Sequence, residues 1–114
     1  MMLDWQTYRT QLAQRIGEMG RLSPETIRGY RGLSQAGDKA NHLGAKTREL
    51  IALAVGVTRQ CDGCIAVHTE AAIKAGATQE ELAEALGVAI AVNAGAALVY
   101  SSRVMDAFAA TGKP

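Results

Sequence analysis

Cys61 and Cys64 are the only two cysteines; they stand three residues apart, and His68 follows four residues after the second. On a helix, positions three and four apart share a face, so the spacing predicts both thiols and the imidazole in one stripe. Thiols so placed can close a disulfide with little backbone movement, because their Cα atoms fall within the bonding window. A nearby imidazole can accept or relay a thiol proton close to neutral pH. Two other readings compete. Zinc normally takes four ligands, and beyond these two thiols and His68 the chain offers only His42 or a carboxylate. The cysteines can also be inert, buried apolar side chains. A C-x-x-C in a chain without an export signal is more often redox-active.

Placement adds to spacing. Cys61 falls at or just before a helix N-terminus and Cys64 within its first turn, where free backbone N–H groups and the helix dipole stabilise a thiolate. Arg59 either strengthens that field or is a solvated loop charge. The His68 side chain, one turn on, leans back toward the helix start and so toward the thiols. Glu49 opens an otherwise apolar helix, where its simplest role is to complement the dipole. Lys46, Arg48 and Glu70 read as a solvated face, and His42 as ordinary surface.

The elements that must position these residues are all helical. Alternating strand patterns are absent, while the 3.6-residue period recurs throughout. About six helices are expected. The first runs from Leu3 to Glu18 with Gly20 ending it; a second starts at Ser23-Pro24-Glu25 and fades by Gly37. After a loop to Gly44, a third helix from Ala45 is apolar nearly all round and therefore central. The fourth carries Cys64 and His68 and stops at Ala75-Gly76. Thr78 and Glu81 form a capping box for the fifth, which runs to Val92; a break at Asn93-Ala94-Gly95 precedes a sixth, Ala96 to Ala110. The Gly112-Lys113-Pro114 tail is expected to fray.

Composition bounds the partners. The 114 residues make one domain, 1–114, with a net charge of +1 and no long basic run, so no nucleic-acid footprint is present. Aromatic content is 4%, which leaves Leu, Ile, Val and Ala to build the core. The N-terminus lacks the basic and apolar regions of a secretory signal, and a cytoplasmic, reducing setting is expected. Ala85 to Tyr100 is uncharged but only sixteen residues long, short of the roughly 20 needed to span a bilayer. A buried or intersubunit helix pair is the expectation, with no membrane partner. Leu50 to Val57 and Leu82 to Tyr100 together carry more apolar surface than so short a domain covers alone, which calls for a homo-oligomer.

The run Lys46-Thr47-Arg48-Glu49-Leu50-Ile51-Ala52-Leu53-Ala54-Val55, then Cys61-Asp62-Gly63-Cys64, then His68, resembles the AhpD-like/carboxymuconolactone decarboxylase family. Ala71 to Thr78 and Glu80 to Ala85 look like its continuation, and the likeness covers the region from Leu43 to Tyr100. It implies an all-α, AhpD-like fold with the C-x-x-C at the N-terminus of a central helix. It also implies a thiol-dependent alkyl hydroperoxide reductase, with Cys61, Cys64, His68 and Glu49 as the catalytic residues. By the same matching Cys64 reacts with peroxide, Cys61 resolves, and Glu49 with His68 relays the proton. No bound cofactor and no metal are implied. The implied partners are a hydroperoxide substrate, an external dithiol donor of the lipoyl type, and further copies of the chain as a trimer or hexamer. Two features differ from the pattern. Gly63 stands where many relatives carry an aromatic or bulky residue, and Asn93-Ala94-Gly95 replaces a more glycine-rich break. The alternatives are a ring-opened lactone decarboxylase, which needs no second thiol, and a non-enzymatic oligomeric redox sensor or zinc-holding scaffold.

Overall fold

Most helix boundaries have an identifiable chemical cause. The computed structural model describes residues 1–112; Lys113 and Pro114, the end of the tail expected to fray, lie outside the described residues. Five helices follow in order: α1 (Trp5–Leu22), α2 (Pro24–Ala40), α3 (Ala45–Thr58), α4 (Asp62–Lys74) and α5 (Gln79–Thr111). The described residues contain no strand, so the all-α expectation holds.

Asp4 caps α1 by accepting the Thr7 N–H at 3.1 Å, and that bond holds its carboxyl below the usual carboxylate range. The helix then runs through Gly20 to Leu22. Ser23 precedes α2, but its hydroxyl pairs with the Thr26 hydroxyl at 2.7 Å rather than with a backbone N–H. Pro24 occupies the first turn, where its missing donor costs nothing.

α2 does not fade at Gly37; it continues to Ala40 and ends on Asn41 in the left-handed region (φ 49°), which Asn tolerates better than most residues. Gly37 stays inside the helix because the Arg48 side chain lies across it. A Cβ there would stand 2.6 Å from Arg48 Cδ. The Arg48 guanidinium donates to Asn41 Oδ1 at 2.9 Å and Asp38 Oδ1 at 3.1 Å. Arg48 is thus a clamp between the end of α2 and the start of α3, not part of a solvated face.

α3 and α4 end in the same way. At α3, Gln60 N–H donates to Val57 O and Cys61 N–H to Gly56 O, both at 3.0 Å. At α4, Gly76 N–H donates to Ile73 O at 3.0 Å and Ala77 N–H to Ala72 O at 2.9 Å. These are paired Schellman bonds with a left-handed residue between helix and exit. Gly76 supplies it at α4 (φ 92°), and Gln60 does so at α3 (φ 53°).

α5 opens on the expected capping box: Thr78 Oγ1 accepts the Glu81 N–H at 3.1 Å, and Glu81 Oε1 accepts the Thr78 N–H at 2.9 Å. It then runs unbroken through Asn93-Ala94-Gly95, so five helices stand where about six were expected. Asn93 does not break the helix because its amide is satisfied on it. Nδ2 donates to Ala89 O at 2.7 Å and to Thr58 Oγ1 of α3 at 2.8 Å.

α3 packs against α4 and α5, and α1 against α4 and α2. The core between them is small: Leu53 and Gly56 of α3, Ala66 and Ala72 of α4, and Ala89 of α5 are buried. Ion pairs tie the periphery. Lys46 meets Glu81 at 2.8 Å, joining α3 to the start of α5, and Arg9 meets Glu70 at 2.8 Å, joining α1 to α4. Hydrogen bonds from Lys46 and the Thr78 backbone hold the Glu81 carboxyl below its usual range; Lys74 and then Arg9 do the same for Glu70.

The chain is elongated. Its radius of gyration is 19.0 Å and its extents are 61 × 38 × 36 Å, against about 13 Å for a compact domain of this length. Its accessible surface, 8948 Å², exceeds the roughly 6,000 Å² of a compact monomer of this mass by about 3,000 Å². Much of the excess is apolar. Ile51 and Val55 on α3, and Val88, Ile90, Val92, Leu98, Val99, Val104, Met105 and Phe108 on α5, are all exposed. The helix expected to be central is therefore only half covered by its own chain. Continuity of α5 also removes one sequence argument: by length and composition it is the one described helix that can cross a membrane.

Candidate active site

The site is built where α3 ends and α4 begins. Two turns of α3 separate Glu49 from Gly56, and one turn of α4 separates Cys64 from His68, so each pair shares a face. The helices bring those faces together in opposite order. Gly56 lies against Cys64, since a Cβ on Gly56 would stand 3.0 Å from Cys64 Cβ. Glu49 meets His68, Oε2 to Nδ1, at 2.7 Å.

Cys61 and Cys64 are joined as a disulfide with Cα atoms 5.2 Å apart. Cys61 is the N-cap of α4, and its Sγ accepts the Cys64 N–H at 3.1 Å. A sulfur in that position sits at the positive end of the helix, in the place where a capping oxygen usually sits. Both cysteines are half-buried. The backbone thus offers Cys61 the stabilisation that a thiolate needs.

Glu49 and His68 are half-buried, with side chains 25% and 30% exposed. An ionised carboxylate can only accept, so Nδ1 of the neutral imidazole carries the proton and donates it into this bond. Nε2 is then the nitrogen with a free lone pair, and any proton it gains is stabilised by the Glu49 charge behind it. The simple dipole role for Glu49 gives way to a partnership with His68.

Of the four expected site residues, the fold thus pairs Cys61 with Cys64 and Glu49 with His68. No hydrogen bond joins the two pairs directly among the described residues. Nor do three or more His, Cys, Asp or Glu side chains there converge as a metal-ligand set. Arg59 is exposed at the end of α3, and His42 lies exposed in the α2–α3 connection.

The sequence reading missed Gly56 and the packing partner of Gly63. Gly63 was noted only for the bulk it lacks. A Cβ there would stand 3.0 Å from Leu12 Cδ2, so the glycine admits a leucine of α1 over the first turn of α4. Gly56 gave no signal beyond being a glycine inside an apolar helix, a position where glycine costs helix stability.

The family model described as "Carboxymuconolactone decarboxylase family" matches residues 24–107. The chain belongs to that family. A curated relative from Haemophilus influenzae, described as an uncharacterized protein, is 47% identical over 108 residues, covering 95% of this chain and 96% of its own. An uncharacterized protein of Cupriavidus necator is 33% identical over the same shares. Among solved structures, the apo form of a carboxymuconolactone decarboxylase family protein from Legionella pneumophila superposes with a TM-score of 0.73 at 35% identity. It is matched over 96% of this chain and 97% of its own. The family match runs from the start of α2 nearly to the end of α5, so α1, which supplies Leu12, lies outside it.

Proposed function

We propose that this single-domain protein is a thiol-dependent alkyl hydroperoxide reductase that cycles Cys61 and Cys64 between dithiol and disulfide. The observation that carries the reading is the cysteine pair closed at the capped start of α4, one turn from an imidazole backed by a carboxylate. In the dithiol form, His68 Nε2 takes a proton from Cys61, directly or through water, with Glu49 stabilising the imidazolium. The Cys61 thiolate, held by the Cys64 N–H, then draws the proton from Cys64.

Cys64 thiolate attacks the O–O bond of the hydroperoxide. A sulfur–oxygen bond forms, the O–O bond breaks, and the leaving alkoxide takes the proton from Cys61 to become an alcohol; Cys64 is now a sulfenic acid and Cys61 again a thiolate. The Cys61 thiolate attacks that sulfur and expels hydroxide, which His68 protonates to water. Two thiols and one hydroperoxide thus become a disulfide, an alcohol and water. An external dithiol of lipoyl type restores the pair by exchange and leaves as its own disulfide. A decarboxylase reading makes no use of the second thiol, and the pairing of Cys61 with Cys64 favours the redox cycle over it.

The active form is a cytoplasmic homo-oligomer, a trimer or hexamer, in which other copies rather than lipid cover α5. About 3,000 Å² of surplus surface is ample for stable subunit contacts. Arg103 and Asp106 sit among the exposed apolar residues of α5 and disfavour a bilayer there. Steady-state reduction of an alkyl hydroperoxide with dihydrolipoamide as electron donor tests the activity. Turnover that requires both cysteines is expected. Consumption of the donor at the uncatalysed rate would reject the reading.

A further inference from the structure

One residue touches both cysteines. The Gly56 carbonyl accepts the Cys61 N–H at 3.0 Å, and the same residue faces Cys64, whose Cβ would stand 3.0 Å from a methyl placed on Gly56. Gly56 is buried within α3. We propose that Gly56 is a positioning residue for the dithiol: it seats the Cys61–Cys64 pair in its closed form and so sets the thiol–disulfide equilibrium. The inference rests on the cycle proposed above, but not on peroxide being its oxidant.

The two contacts act in opposition once a side chain is added. A methyl at position 56 pushes Cys64 away by a few tenths of an ångström, while Cys61 stays tethered by its amide. The displacement is then taken up between the two sulfurs. In the disulfide a covalent bond fixes their separation, so the strain is felt; in the dithiol nothing fixes it, and the strain relaxes. Bulk at position 56 therefore penalises the oxidised form selectively. Glycine costs α3 some helix stability, and the seat accounts for its presence there.

The test equilibrates the full-length protein with mixtures of reduced and oxidised dithiothreitol, quenches by alkylation and counts free thiols by mass. In this exchange two electrons and two protons pass from dithiothreitol to the Cys61–Cys64 disulfide, and dithiothreitol closes to its cyclic disulfide. Gly56→Ala is expected to shift the equilibrium toward the protein dithiol on the order of tenfold, the effect of mild overpacking, which for a two-electron couple is about 30 mV. Gly29→Ala on α2 serves as control, because a methyl there meets nothing within 4 Å; it should leave the equilibrium unchanged. A merely structural Gly56 would weaken oxidised and reduced protein alike and leave the equilibrium at the native value, which would overturn the proposal.

If oxidised Gly56→Ala does not fold, circular dichroism of its reduced form decides. The dithiol form should keep native helical content, and equal loss of helix in both forms would overturn the seat. A native pair that cannot be reduced and reoxidised at all would overturn the cycle itself, and the assignment of Gly56 with it.

Discussion

Glu49→Gln separates the charge of the Glu49–His68 pair from its shape. The amide keeps an oxygen where Oε2 now accepts from Nδ1 at 2.7 Å, so the imidazole keeps its orientation and tautomer. What disappears is the negative charge behind the imidazolium. A hydrogen bond to a charged group contributes about 1.5–3 kcal/mol and a neutral one about 0.5–1.5. The charge therefore accounts for roughly 1–1.5 kcal/mol, and the partial exposure of both side chains, 25% and 30%, argues for the lower end. That corresponds to a five- to tenfold loss of rate, at about 1.4 kcal/mol per decade. Glu49→Ala removes the orienting acceptor as well, and the loss should approach the ~10²-fold lower bound for general acid–base catalysis. The assay is iodoacetamide alkylation of the freshly reduced protein, followed by mass at several pH values between about 6 and 8, where an imidazole titrates. Hydroperoxide turnover on the same samples shows whether the alkylation defect reaches catalysis. Glu49→Gln protein of native oligomeric state that alkylates at the native rate throughout would refute the partnership.

Cys64→Ser should abolish reaction with hydroperoxide, whereas Cys61→Ser should stop at a Cys64 sulfenic acid that dimedone labels; labelling of Cys61 in the Cys64→Ser protein instead would reverse the two roles. Sedimentation should show an oligomer at micromolar concentration. Leu98→Asp, which alters a side chain that is 76% exposed in the single chain, should dissociate it without unfolding α3 or α4. A stable 12 kDa native monomer would contradict the assembly. The Glu81 carboxyl is held below its ordinary value of 4.5 by Lys46 and the Thr78 backbone. Its contribution to stability is therefore complete above that value and lost as pH falls through the lowered one. Thermal unfolding of Glu81→Gln should lie below native at neutral pH and converge with it in acid, and a constant gap would show that the charge is not the cause.

The helix boundaries legible in the sequence were those written in local chemistry: Pro24 in a first turn, the Thr78–Glu81 box, Gly76 after α4. The misread boundaries depended on partners distant in sequence. Gly37 looked like a helix end because nothing nearby announces that Arg48 lies across it. Asn93 looked like a break because its bond to Thr58 spans 35 residues. Gln60 hides a left-handed exit that only the Schellman bonds reveal, since glycine or asparagine is the usual sign. At the site, spacing was enough to put Cys61 at the cap of α4 and Cys64 and His68 one turn apart on it. The partnership of Glu49 with His68 came from family resemblance, because pairing across two helices depends on a packing register that periodicity does not encode. Gly56 shows the same limit: its importance is a contact with Cys64 from another helix.

The central claim is that a hydroperoxide closes the Cys61–Cys64 pair. Rapid mixing of the fully reduced protein with one equivalent of an alkyl hydroperoxide, then thiol titration and peptide mapping, measures this directly. Both thiols should disappear per equivalent of peroxide, with one equivalent of alcohol formed and a single peptide carrying a Cys61–Cys64 disulfide. Retention of both thiols while the peroxide persists would contradict the account.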